Sequence, residues 1–112
     1  MKRIEAVIRP DKVENVCETL NKTGQKGVML SLIEDRSTSD YLKAMVRGNY
    51  YNIDTIMAKI EVTVKDAEAA MVTDLIREAA STGTIGDGEI FIHPIDDTMI
   101  VSTGLWSGKR TR

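Results

Sequence analysis

The sequence predicts an α+β sandwich whose elements run β-α-β-β-α-β, the split order of ferredoxin-like folds. Three observations carry that prediction. Apolar residues alternate with polar ones in several short runs, they recur at helical spacing in two segments between those runs, and glycine or proline marks most of the changes of period. With 112 residues, 42% hydrophobic and 29% charged, the chain has the size of a single domain over 1–112 and a globular balance.

Lys2 to Ile8 alternates polar and apolar positions, as a strand with one buried face does, and Pro10 closes it. From Asp11 the period lengthens: Val13, Val16, Cys17 and Leu20 fall on one helical face, Asp11 is placed to cap the first turn, and Gly24 stands where a left-handed stop belongs. Val28 to Glu34 reads as a second strand and Ile56 to Val64 as a third, rich in β-branched residues. Between them, Asp35 to Asp54 is polar and broken by Gly48, Asn49 and Asn52. A connection of that length in so small a domain is usually functional, and with little apolar surface to bury it is expected to be poorly ordered without a partner.

Asp66 opens the second helix, with Ala69, Val72, Leu75, Ile76, Ala79 and Ala80 on one face and Gly83 expected to end it. Glu89 to His93 is then a short strand before Pro94, and Met99 to Val101 a further extended piece ahead of a basic tail over about 105–112. The result is a four-stranded antiparallel sheet with two helices on one face. Ile4, Leu30, Leu32 and Ile60 are expected to turn toward the other, open face, which pairing between copies would bury.

Composition excludes several functions. No apolar run approaches the roughly 20 residues of a membrane-spanning helix, and Met1-Lys2-Arg3 leads into an alternating stretch and not a signal-peptide core, so a cytoplasmic protein without membrane insertion is expected. Cys17 and His93 are each single, which leaves no intrachain disulfide and no Cys/His metal cluster. His93, beside Pro94, has no nucleophile near it and reads as a capped or interfacial histidine. The net charge of −2, with no basic stripe in the body of the chain, lacks the footprint of a nucleic-acid binder.

The strongest local signal is Thr82-Gly83-Thr84-Ile85-Gly86-Asp87-Gly88-Glu89-Ile90-Phe91. Three glycines within six residues let several N–H groups point into one concavity, an anion nest, although a helix stop and a tight turn need the same residues. This segment resembles the loop that the PII nitrogen-regulatory family carries between its second helix and the next strand. The opening Met1-Lys2-x-Ile4-x-Ala6-x-Ile8-x-Pro10, Gly27, Arg47-Gly48 with Tyr51, Lys59-Ile60-Glu61 and Thr103-Gly104 follow in the family's order across almost the whole chain.

The resemblance implies a homotrimer with adenine-nucleotide sites between subunits, and a regulator, not an enzyme, that signals to a target enzyme or membrane transporter through its long loop. Carried over residue by residue, Gly86, Asp87 and Gly88 would approach phosphates through their backbone N–H groups, with Glu89 directly after them. Met29, Glu61 and Thr63 would stand near base and ribose. Arg36, Tyr41, Arg47, Tyr50 and Tyr51 fall in the partner-binding loop; Tyr51 matches a tyrosine that some relatives modify, and modification is not expected here.

The chain departs from the family where phosphate charge is met. Glu89 replaces the lysine that normally follows Gly-Asp-Gly, and Ile100, Val101 and Ser102 stand where an Arg-x-Arg precedes Thr-Gly. Hydrogen bonds to charged groups contribute about 1.5–3 kcal/mol each, so without three cations ADP or AMP is favoured over ATP. Lys109, Arg110 and Arg112 are candidates to fold back and supply phosphate contacts. The loop's family residues for magnesium and 2-oxoglutarate cannot be mapped onto Asp35 to Tyr41, and no metal is expected.

A PII-fold adaptor without nucleotide is the competing reading. An RNA-binding module of the same fold would need stacking aromatics, and only Phe91 lies on an expected strand in a chain with 4% aromatic residues. An acylphosphatase-like enzyme would need a phosphate cradle after the first strand, where Arg9 is followed by Pro10 without glycines.

Overall fold

The computed structural model describes residues 1–35 and 56–107. The expected partner-loop residues Arg36, Tyr41, Arg47, Tyr50 and Tyr51, and the tail cations Lys109, Arg110 and Arg112, lie outside the described residues.

Four strands, β1 (Lys2–Ile8), β2 (Met29–Glu34), β3 (Ile56–Val64) and β4 (Gly88–Pro94), form one antiparallel sheet in the order β2-β3-β1-β4. Helices α1 (Val13–Lys22) and α2 (Ala69–Ala80) cover one face. The alternation in β1 and β3 turns Ile4, Ala6 and Ile8 and, opposite them, Val62, Ile60 and Ala58 under the helices, where Val16, Leu20, Val72 and Ile76 close the core. A one-residue slip would exchange the faces. Since full burial of one such aliphatic side chain stabilises by about 1.5–3 kcal/mol, the register of the two central strands is firmly set.

The ends of the elements show what sequence patterns miss. Each helix is entered through a single 3-10 turn, Pro10–Lys12 and Asp66–Glu68. Asp11 therefore sits inside a turn and caps nothing; α1 starts from Lys12 without a side-chain cap. Proline at the first turn position, where its fixed φ suits the turn and its missing N–H is not needed, displaces the expected start. At the other end Gly24 takes φ +78°, and the N–H groups of Gly24 and Gln25 reach the carbonyls of Asn21 and Leu20, a Schellman stop as expected.

Gly83 does not end α2. The helix stops at Ala80 because Ser81 turns extended (ψ 135°), and the positive φ of Gly83 serves the loop beyond. Strand β2 begins at Met29 instead of Val28, and β4 runs one residue further at each end than expected, with Gly88 opposite Ile8 and Pro94 opposite Lys2. Of the piece expected at Met99 to Val101, only Met99 pairs, with Trp106, and Val101 lies in the intervening turn.

The open face also differs from expectation. Register puts Ile4, Leu30, Leu32 and Ile60 all on the helix side of the sheet. Ile4 and Ile60 are fully buried there, whereas Leu30 and Leu32, on edge strand β2, stay exposed at 53% and 66%. The open face instead bears a strip of charge: Arg3 to Glu61 at 3.6 Å, Lys59 to Glu61 at 3.6 Å and to Glu5 at 3.8 Å, with His93 Nε2 4.0 Å from Glu5. Such half-exposed pairs contribute about 0–1 kcal/mol each, so they fix pattern more than stability.

Candidate functional site

Where β1 ends and β4 begins, residues 81–88 wrap around one carboxylate. Asp87 Oδ2 accepts the N–H groups of Thr82 at 2.8 Å and Gly83 at 3.0 Å. Its Oδ1 accepts Arg9 Nε–H at 3.0 Å and the Thr82 hydroxyl. Arg9 comes from the residue just past β1, and its Nη2 donates to Thr84 Oγ1 at 3.2 Å and to the Ile85 carbonyl at 3.1 Å. Because the single Thr82 hydroxyl proton goes to Asp87, the 2.6 Å contact between the two threonine hydroxyls has Thr84 as donor. A closed chain of hydrogen bonds thus runs from guanidinium through two hydroxyls to carboxylate.

The Thr82 hydroxyl first, then the Arg9 guanidinium and the Thr82 and Gly83 N–H groups, hold the Asp87 carboxyl well below the ordinary carboxylate range, against a smaller opposing effect of burial. Its folded pKa lies below its unfolded one, so its contribution to stability is complete above the ordinary value of about 4 and is lost as pH falls below it. Asp87→Asn is therefore expected to lower the melting temperature at neutral pH, with the gap to wild type closing progressively below about pH 4. Melting curves from pH 2 to 7 check this; a gap of constant size across that range would contradict it.

Gly88 is required for a different reason. It has φ +112°, and a Cβ there would lie 1.7 Å from the carbonyl oxygen of Val7. The loop can lie flat on β1 only because that position has no side chain.

The structure brings Gly86, Asp87, Gly88 and Glu89 together at this end of the sheet, but Asp87 turns its carboxylate into the loop. An open cleft of about 370 Å³ between α2 and β4 is lined by Thr73, Arg77, Ser81, Gly88, Glu89 and Ile90, although register places Glu89, opposite Val7, on the open-face side of β4. Met29, Glu61 and Thr63 lie elsewhere, on the open face: Met29 is opposite Glu61 on β2 and β3, and Thr63 is opposite Arg3. Along β1, Gly88 is level with Ile8, Glu61 and Met29 with Glu5 and Thr63 with Arg3, so the two groups lie three to five positions, roughly 10–17 Å, apart.

Two cations at the site were not among the expected residues. Arg9 stands 78 positions from Asp87 in sequence and was weighed only for a phosphate cradle, and Arg77 was hidden in the last turn of α2. The signal that locates Arg9 is topological, since the end of β1 must lie beside the start of an adjacent antiparallel strand. Among the described residues no group of three or more His, Cys, Asp or Glu is placed to hold a metal ion, and no helix is long and apolar enough to cross a membrane.

Comparison with known proteins adds sequence kinship to this geometry. The family model described as nitrogen regulatory protein P-II matches residues 1–105. The nitrogen regulatory protein P-II 2 of Methanothermobacter thermautotrophicus is 38% identical over 111 residues, covering 98% of this chain and 96% of that protein. The nitrogen regulatory proteins P-II of Azospirillum brasilense and Rhizobium meliloti are each 35% identical over 105 residues, covering 93% of this chain and 94% of theirs.

Proposed function

Since the chain belongs to the nitrogen regulatory protein P-II family, a family of signalling regulators, we propose that it is a cytoplasmic homotrimer that senses an adenine nucleotide, ADP or AMP ahead of ATP. The bound state would be passed to a target enzyme or membrane transporter through the loop over about 35–54, with no catalysis of its own, the whole of 1–112 acting as one domain. Met29, Glu61 and Thr63 hold base and ribose, Gly86 to Gly88 approach the phosphates, and Lys109, Arg110 and Arg112 supply part of the missing positive charge.

The observation that carries this reading is the stapled loop. Six hydrogen bonds to or from Arg9 and Asp87 hold its ends before any ligand arrives, and a pre-ordered loop saves the entropy of ordering on binding. Assembly has its own support. Met29, Leu30, Leu32, Phe91 and Ile92 leave apolar surface exposed on the strands, which contact between copies would cover.

Light scattering at micromolar concentration is expected to give three times the chain mass, and a monomer would overturn the assembly. In a thermal-shift panel of ATP, ADP, AMP, 2-oxoglutarate and bicarbonate, ADP or AMP is expected to stabilise most, by about 2.7 kcal/mol at a hundred times Kd. No shift with any nucleotide would favour the adaptor reading.

A further inference from the structure

We infer that Arg9 is a phosphate-binding residue of this chain, held by Asp87 so that its remaining N–H edge meets the anionic end of a nucleotide at the glycine loop. The inference rests on the nucleotide reading above and names the cation that reading lacks. Nε of Arg9 is taken by Asp87, and Nη2 by Thr84 and the Ile85 carbonyl. A guanidinium carries five N–H donors in a rigid plane, so fixing two of its nitrogens fixes the third. Nη1 donates to no residue among those described, and the Arg9 side chain is 35% exposed.

Charge supports the same assignment. Glu89 puts an acid directly after the loop in sequence, and the loop's glycines offer only dipoles. Arg9 is the cation tied directly to the loop's backbone, bonded to Ile85 and packed against Gly86, where even a methyl group would come within 3.2 Å of Nη2. Asp87 is a positioning residue: its carboxylate keeps the fork in place and takes up part of its charge. One remaining donor nitrogen, its charge half neutralised, suits a terminal phosphate of low charge, a mono- or diphosphate, better than a triphosphate.

Calorimetric titration of the full-length protein with ADP, AMP and adenosine tests this on wild type, Arg9→Gln and Arg9→Lys. Arg9→Gln is expected to weaken ADP and AMP by about ten- to a hundredfold while adenosine is unchanged, and Arg9→Lys to weaken them less, because it keeps the charge and loses the planar anchoring that aims Nη1. In wild type the Arg9 side-chain NMR signals should shift on adding ADP and not on adding adenosine, a readout that a purely structural role would not move. ADP affinity in Arg9→Gln equal to wild type overturns this inference alone. Absence of ADP and AMP binding in wild type overturns it together with the nucleotide reading.

Discussion

Gly88→Ala is expected to destabilise the protein by about 3 kcal/mol or more, enough to remove much of the stability of a domain of this size. Two independent penalties combine. The backbone at φ +112° lies outside the regions that residues with a Cβ adopt at low cost, and the added methyl would sit 1.7 Å from a backbone oxygen of the central strand. Neither partner can swing aside, because Val7 is held in ladders to β3 and to β4. Relief requires β4 to lift from β1 at this end, which breaks the Ile8 pairing and pulls Asp87 from Arg9. Urea unfolding measures the loss, and amide exchange across Gly88–Pro94 locates it. By contrast Gly83→Ala, with nothing within 4 Å of its Cβ, should cost only about 1–2 kcal/mol for its positive φ. Equal losses at the two positions would show that the close approach of strands is not what glycine serves here.

The second large effect concerns charge. Glu89→Lys is expected to raise affinity for ATP by about fivefold to several hundredfold, the range that follows from replacing a short-range repulsion of about 1–4 kcal/mol. A triphosphate brings about four negative charges to a loop that already holds the Asp87 carboxylate, and Arg9 can answer only part of them. ADP should gain less than ATP and adenosine nothing, so the ratio between ligands is more telling than any one constant. Titration calorimetry at fixed salt reads it, since screening alone shifts such values. Micromolar or tighter ATP binding by wild type, unaffected by deleting Lys109 to Arg112 and not improved by Glu89→Lys, would mean that the phosphates lie elsewhere.

The fold was legible because it is written in period. The bounds of β1 and β3 follow from alternation to the residue, and the inner faces of both helices from their 3.6-residue spacing. What alternation could not assign is which side of an edge strand meets water. Leu30 and Leu32 point to the helix side of β2 yet lie past the reach of the helices, so burial and facing part company there. The open face was misread for the same reason, since charges paired across strands look, one strand at a time, like ordinary solvent positions. The glycine loop was legible as backbone, through its glycines, but not as side-chain chemistry. Asp87 reads as one more turn residue until Arg9 is placed against it, and only three-dimensional pairing does that.

The central position of β1 has a consequence for how the chain is made. Both of its neighbours come late: β3 pairs with it from residue 56 onward and β4 from residue 88. At synthesis rates of roughly 5–20 residues per second, the first strand waits for seconds with both edges unpaired while the rest emerges. Its partner helix α1 can form early, but the sheet closes only around a strand that has been held open, and such non-local closure is slow. Arg9 and Asp87, 78 positions apart, can meet only after most of the chain has been made. A chain halted or clipped before Gly88 would still hold much of its core sequence and most of the loop, yet lack β4, the strand that pins the loop's end to β1, so that the stapled loop becomes a property only of finished molecules.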